Sequence, residues 1–229
     1  TLHLEGATFP AGRYTAFFDC SNDAILEYGG TAEDYTLVAD LFNTVPNLHF
    51  LGTGTRTLPN QDLTICTQLM IDGPTLDNTT NNSALTIKGT MERYNTGAFV
   101  SGTGEDATVS FAGTSTQTIA GVLGDFTGSN AFNNLEIDNS SGLTINENGE
   151  IEIDGNLKLT DGNITTSSTN KITITNTDSD CVEPAGGQSN SYVDGPLIKV
   201  INQGDSFRFP VGKDDDLGNK VTLSVNQVG

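Results

Sequence analysis

The sequence predicts an all-β fold: a right-handed parallel β-helix, with three short strands in each rung of about 21–22 residues and a C-terminal β-hairpin cap. Three observations carry this prediction. Thr, Asn and Gly supply 80 of the 229 residues, and β-branched Thr with turn-forming Asn and Gly is poor helix material. Short segments alternate apolar with polar side chains, the period of a half-buried strand. The segments also recur at a steady offset, the mark of a repeat architecture.

The elements follow in chain order. Near the N-terminus, Tyr14, Phe17 and Phe18 suit an aromatic end cap. Ala24–Tyr28, Asn47–Phe50 and Gln68–Ile71 form one strand series with a period of 21–23 residues. Leu63–Cys66, Leu85–Lys88 and Thr108–Phe111 form a second, with offsets of 22 and 23–24. Phe50–Leu58 is echoed by Phe111–Ile119 at an offset of 61, close to three rungs. From Asn134 to Asn176 the pattern is cleanest. Six strands start six to eight residues apart, too tightly for a sandwich with turns every ~8–12 residues. Leu135 should stack on Leu157, Leu143 on Ile164 and Ile151 on Ile172, at offsets of 22, 21 and 21. The β-helix is therefore placed at residues 1–177. Residues 178–229 are read as a loop and a β-hairpin cap or connector, with Phe207–Val211 and Val221–Val225 as the hairpin strands. A solenoid needs such caps because its ends expose core and unpaired strand edges.

This arrangement accounts for the composition. Alternate residues of a strand face the core and solvent. Leu, Ile and Val fill the inner positions, Thr, Glu and Asp the outer ones, and Asn and Gly the corners, where positive φ is common. Asn stacked over Asn between rungs is expected to form amide ladders.

Charge narrows the partners. With 29 acidic and 10 basic residues the net charge is −19, which disfavours nucleic acid and repels polyanions. Nine acidic and no basic residues lie between Arg93 and Lys158. Such a field serves solubility or the recruitment of divalent cations. No apolar run approaches the ~20 residues of a membrane helix, so no membrane insertion by this segment is expected. The chain begins at Thr1 without a signal-peptide pattern and reads as a mature protein or a segment of something longer. The three cysteines cannot all pair internally. Cys66, in a strand, reads as a buried thiol; Cys20 and Cys181, in turn-like contexts, leave a bridge between them open.

Phe132–Asn146, followed by Ile151–Thr165, resembles the repeats of large surface proteins of Bacteroidetes-type bacteria, as do Gly113–Ile119, Ser191–Leu197 and Phe209–Lys213. The match is good over roughly residues 105–225 and looser before. The resemblance implies a secreted, type IX secretion-associated, adhesin-like or structural component at the cell surface. It carries no catalytic set, and a sorting domain typical of type IX cargo is absent from these residues.

Candidate sites are few. Glu136, Asp138, Glu150, Glu152 and Asp154 are outward carboxylates on neighbouring strands, and spaced oxygens of this kind suit Ca²⁺. Yet Glu136 should stack beside Lys158, and Glu152 and Asp154 beside Thr173 and Thr175, which makes a solvated face with one ion pair. Asp214, Asp215 and Asp216 form an oxygen-rich turn between Lys213 and Lys220, without EF-hand spacing. The Ca²⁺ candidates are thus Glu150, Glu152, Asp154, Asp214, Asp215 and Asp216, with no other cofactor expected. Thr53, Thr55, Thr57 and Thr114, Thr116, Thr118 form Thr-x-Thr rows, too few for an ice-binding array. Asn176-Thr-Asp178 resembles an element of polygalacturonases, but the Asp pair, Gly-His-Gly and Arg-Ile-Lys of that family do not occur. The only histidines, His3 and His49, form no triad, and His49 should point outward. The five tyrosines are scattered rather than arrayed as a sugar platform. The expectation is a non-enzymatic extracellular rod, acting by multivalent contact or by self-association into a filament or stalk. Its partners would be copies of itself, neighbouring domains or glycans. The alternative is a carbohydrate-binding or carbohydrate-active β-helix protein, recognisable by a groove with clustered aromatics and two carboxylates.

Overall fold

A computed structural model describes residues 1–31, 34–38, 42–120, 126–146, 149–213 and 222–224. It is all-β, a parallel β-solenoid of about nine turns, with one short 3-10 turn at Gly128–Asn130. Each turn visits three faces. Face 1 stacks Leu2–Leu4, Ile25–Tyr28, the second halves of Thr44–Leu51 and Leu63–Asp72, then Thr90–Tyr94, Gln117–Ala120, Leu143–Ile145, Ile164–Thr165, Val193–Asp194 and Val211–Gly212. Face 2 stacks the first halves of Thr44–Leu51 and Leu63–Asp72 with Leu85–Ile87, Thr108–Phe111, Asn134–Asp138, Leu157–Asp161 and Val182–Glu183. Face 3 holds Tyr35–Thr36, Thr55–Thr57, Thr75–Asp77 and Ala98–Val100, and further on Ile151–Ile153, Ile172–Ile174 and Leu197–Lys199.

The predicted registers are the observed ones: Leu135 pairs with Leu157, Leu143 with Ile164 and Ile151 with Ile172. Inward residues therefore form continuous apolar columns. On face 1 one column runs Leu2, Leu26, Leu48, Leu69, Met91, Ile119, Ile145. On face 2 another runs Val45, Ile65, Ile87, Phe111, Ile137, Leu159. Nearly all of these side chains are buried, and each contributes roughly 1.5–3 kcal/mol by leaving water. The core is one cluster along the axis.

Corners need special backbone. Gly30, Gly52 and Gly73 stack at the turn between faces 1 and 3 with φ of +98°, +88° and +111°. A Cβ on Gly52 would collide with the carbonyl oxygen of Gly30, and one on Gly73 with that of Gly52. Only glycine meets both demands.

Three details depart from the sequence reading. The 61-residue echo does not join equivalent positions: Phe50 lies on face 1 and Phe111 on face 2, while Thr55–Thr57 is on face 3 and Gln117–Ala120 on face 1. Cys66 is not a buried thiol. Ile65 takes the core position, alternation turns Cys66 outward, and it forms a disulfide with Cys20. Cys181 is instead the buried free thiol, its burial pushing its pKa up. Stacking also continues beyond residue 177, through Val182–Glu183, Val193–Asp194, Leu197–Lys199 and Val211–Gly212.

The ends differ from the rungs. Near the N-terminus Phe9, Tyr14, Phe17 and Phe18 pack with Phe42, as an aromatic cap requires. At the C-terminal end Ser206–Arg208 pairs antiparallel with Thr222–Ser224, the hairpin expected there, and Phe207 plugs the core. Lys199 stands in register with Ile174 in a core column and lays its ammonium over the Phe207 ring at 4.9 Å, so a charge ends that column.

Candidate functional site

The outer surface of face 2 carries a groove along the axis. Parallel register sets one outward side chain per rung in line: Thr64, Thr86, Ser110, Glu136, Lys158 and Glu183. A cleft of about 530 Å³ lies along the last four, flanked by Glu105, Asp106, Asn134 and Asn156. It shares Ala84 and Asp106 with a cleft among Asn60, Asp62, Asn81 and Asn82. At the other end it shares Lys158 and Glu183 with a small apolar one at Leu159 and Pro184. Together these form a trench along the axis, lined by amides and carboxylates and by no aromatic residue.

Glu136 is its centre. Lys158 Nζ pairs with Oε1 at 2.8 Å, Thr160 Oγ1 donates to Oε1 at 2.8 Å, and Ser110 Oγ donates to Oε2 at 2.8 Å. Burial pushes the Glu136 pKa up, but the hydrogen bonds from Lys158, Thr160 and Ser110 outweigh it and hold the carboxyl below its usual range. Glu136 in turn raises the Lys158 pKa. A carboxylate held charged by three donors is poorly suited to general acid or base work near neutrality. The trench is suited to hydrogen bonding along an extended polar chain.

A second polar row crosses face 1. His3 Nδ1 lies 2.6 Å from Glu27 Oε1 and Nε2 lies 3.3 Å from Glu5 Oε1. Those hydrogen bonds, Glu27 first, raise the His3 pKa. His49 occupies the outward position between core Leu48 and Phe50, yet it is covered by its neighbours, with 9% of its surface exposed. Its Nε2 lies 2.7 Å from Gln68 Oε1, Gln68 Nε2 donates to Glu92 Oε2 at 2.8 Å, and Tyr94 donates to the same oxygen at 3.0 Å. The row is a lateral network between rungs.

The Ca²⁺ candidates are engaged by protein groups. Lys171 Nζ pairs with Glu150 at 2.9 Å. Glu152 accepts the Gly128 N–H at 2.5 Å, anchoring the 3-10 turn, and Asp154 accepts the Thr175 hydroxyl. The predicted neighbours, Lys158 beside Glu136, Thr173 beside Glu152 and Thr175 beside Asp154, are the ones found. Asp214, Asp215 and Asp216 lie outside the described residues. Among the described residues no group of three His, Cys, Asp or Glu is placed to share an ion.

Sequence reasoning missed the buried polar residues. Arg56 is fully buried, donates Nη2 to Gly29 O at 2.8 Å and stacks its guanidinium 4.3 Å from the Tyr35 ring centre. Arg93 sits in register with Ile71 in a core column, donates to Gly97 O at 2.7 and 3.0 Å, and lies over Phe126. Gln117 and Asn139 bond each other at 2.9 Å, and Gln117 also holds the Ile87 and Gly89 carbonyls. The signal was present: in Thr55-Arg56-Thr57 and Thr116-Gln117-Thr118, outward threonines require the middle residue to face inward.

Comparison of the chain with protein-family models, with curated proteins and with solved structures finds no match.

Proposed function

We propose that this chain is a non-enzymatic rigid rod that spaces or displays what it is joined to, outside the cell, and makes multivalent polar contacts along its faces. The carrying observation is a parallel solenoid with non-repeating structure beside both terminal regions, an aromatic cluster at one and an antiparallel hairpin with Lys199 at the other. Non-repeating structure beside the terminal rungs hinders the stacking of a further copy, which favours a stalk over a growing filament. The Cys20–Cys66 disulfide supports an oxidising compartment. The resemblance to bacterial surface repeats points the same way. Face 1 and face 2 side chains are largely engaged with one another between rungs, which supports a role in stiffness over chemistry.

Negative-stain electron microscopy of the oxidised chain, with and without Ca²⁺, tests this. About nine rungs at ~4.8 Å give a solenoid roughly 45 Å long, so dispersed short particles are expected in both conditions. Regular filaments would contradict the capped-rod reading and turn attention to a bridging cation.

A second reading is glycan binding in the face 2 trench, favoured by its length and its rows of amides and carboxylates. It lacks the stacking aromatics that sugar rings favour, so a screen of neutral glycans is expected to show at most weak binding.

A further inference from the structure

The N-terminal segment Phe9–Asn22 contains no strand. It is shaped by its own hydrogen bonds: Phe17 and Phe18 N–H bond Tyr14 O at 2.8 and 3.0 Å, and Asn22 Nδ2 bonds Ala16 O at 2.8 Å. The Cys20–Cys66 disulfide fixes it to the solenoid. A cleft of about 660 Å³ lies between this segment and residues 42–44. That volume takes a small organic molecule whole.

Three rings line the cleft: Tyr14, Phe18 and Phe42. Phe18 stacks on Phe42 at 4.7 Å, and Tyr14 stands 6.1 Å from Phe18 with its plane tilted by 50°. Phe42 is buried, whereas Tyr14 and Phe18 are half-buried and supply the accessible ring surface. The Tyr14 hydroxyl donates to the Pro10 carbonyl, so its proton is engaged and Tyr14 offers the cleft its ring. Among the described residues of the lining, Asp19 is the one charged side chain. It is exposed, and the Ser21 N–H donates to its Oδ1 at 2.9 Å and holds the carboxyl below its usual range, so Asp19 is ionised at neutral pH. Residues 1–44 carry seven acidic residues against Arg13 alone, and Arg13 is outside the lining.

Rings and a carboxylate in one cleft select for a particular chemistry. A ring face attracts a cation through its quadrupole, most strongly where the cation's substituents are carbon and shed water readily, and a carboxylate beside it adds direct charge. A neutral sugar would gain nothing from Asp19 or from the net charge of −19, and an anion would be repelled. We propose that this cleft binds a free quaternary ammonium solute, held against the Tyr14 and Phe18 rings with the Asp19 carboxylate beside it. The disulfide serves the site by fixing the residue next to Asp19.

This binding role is separate from the rod reading, since a particle of the same dimensions is expected whether or not the cleft is filled. Isothermal titration and saturation-transfer NMR on the oxidised chain test it. Choline is the cationic probe, dimethylbutanol its match in shape with carbon in place of the nitrogen, and methyl glucoside the neutral sugar. Choline is expected to bind one per chain, roughly three- to tenfold more tightly than dimethylbutanol, the scale of a partly exposed cation–π contact with an ion pair. Asp19→Asn should remove most of that preference, and Thr15→Lys, which sets a positive charge in the lining, should weaken choline while sparing dimethylbutanol. Both positions are exposed, so both variants should keep the parent's melting temperature. Phosphatidylcholine vesicles are expected to sediment without the chain. The proposal is overturned by no choline binding, by equal binding of the two isosteres, by a preference that survives Asp19→Asn, by methyl glucoside binding more tightly than choline, or by a chain that sediments with the vesicles.

Discussion

At the residue scale, the departures from a purely apolar core are buried polar side chains that each hold backbone carbonyls. Arg56 replaces a core hydrophobe and holds the corner carbonyls of Gly29 and Gly30. Its removal would leave a cavity and buried carbonyls without their donor, so Arg56→Ala is expected to lower stability by about 3–5 kcal/mol, read as a fall in the urea midpoint. Glu136 gives a pH signature. Its folded pKa lies below its unfolded value, so its stabilisation is present above the unfolded pKa, near ~4.3, and is lost as pH falls through the lower folded pKa. Glu136→Gln should therefore lose less melting temperature than the parent between pH 6 and pH 3 (acid settings of order one unit either side of ~4.3). His3 has the opposite sign. Its pKa is raised by Glu27 and Glu5, so its contribution is full below the unfolded value near ~6.5 and fades as pH rises through the folded one. NMR titration of the His3 ring should find a midpoint above that value, falling back in Glu27→Gln.

At the element scale, the corners matter as much as the strands. The column Gly30, Gly52, Gly73 lets successive rungs approach with their carbonyls in contact with the next turn's Cα. Gly52→Ala adds both a steric clash and an unfavourable φ, and is expected to cost ~2–4 kcal/mol, seen as a large drop in melting temperature. Gly6→Ala is the control: its Cβ would meet nothing within 4 Å. The inserted turn between Phe126 and Phe132 makes a different point. Both rings stay in the core, stacked at 5.1 Å, and both residues bridge to the strand Ile151–Ile153 while the turn itself bulges out. Glu152 ties that bulge down by accepting the Gly128 N–H. The disulfide acts on the same scale, pinning a segment that has no ladder of its own.

At the scale of the whole molecule, the fold is a stack of rungs, each paired in parallel with its neighbours. Stability in such a stack is close to a sum over neighbouring rungs, and unfolding can begin at either end. Native-state hydrogen exchange is accordingly expected to protect the amides of Ile87, Phe111 and Ile137 most and those of the terminal strands least. Uniform protection from end to end would contradict this. The charge of −19 keeps such rods apart. Near pH 4, close to the isoelectric point of about 4.1, light scattering should report association that reverses on return to neutral pH.

Much was legible in the chain itself. Strict alternation fixes which side chains face inward, and a steady offset fixes which strands stack, so the registers Leu135–Leu157 and Glu136–Lys158 followed from spacing alone. The outward side chains of those strands therefore found their neighbours without a structure. What spacing cannot carry is where an irregular segment returns. The course of the N-terminal segment Phe9–Asn22, the pairing of Cys20 with Cys66, the run of rungs past residue 177 and the trench built from residues 60 to 188 all depend on which corner meets which. Equal offsets also misled once, when Phe50 and Phe111 repeated in sequence but fell on different faces. Periodicity is a property of the chain, whereas phase around a three-sided solenoid is set by every insertion before it, and only the packed structure counts them.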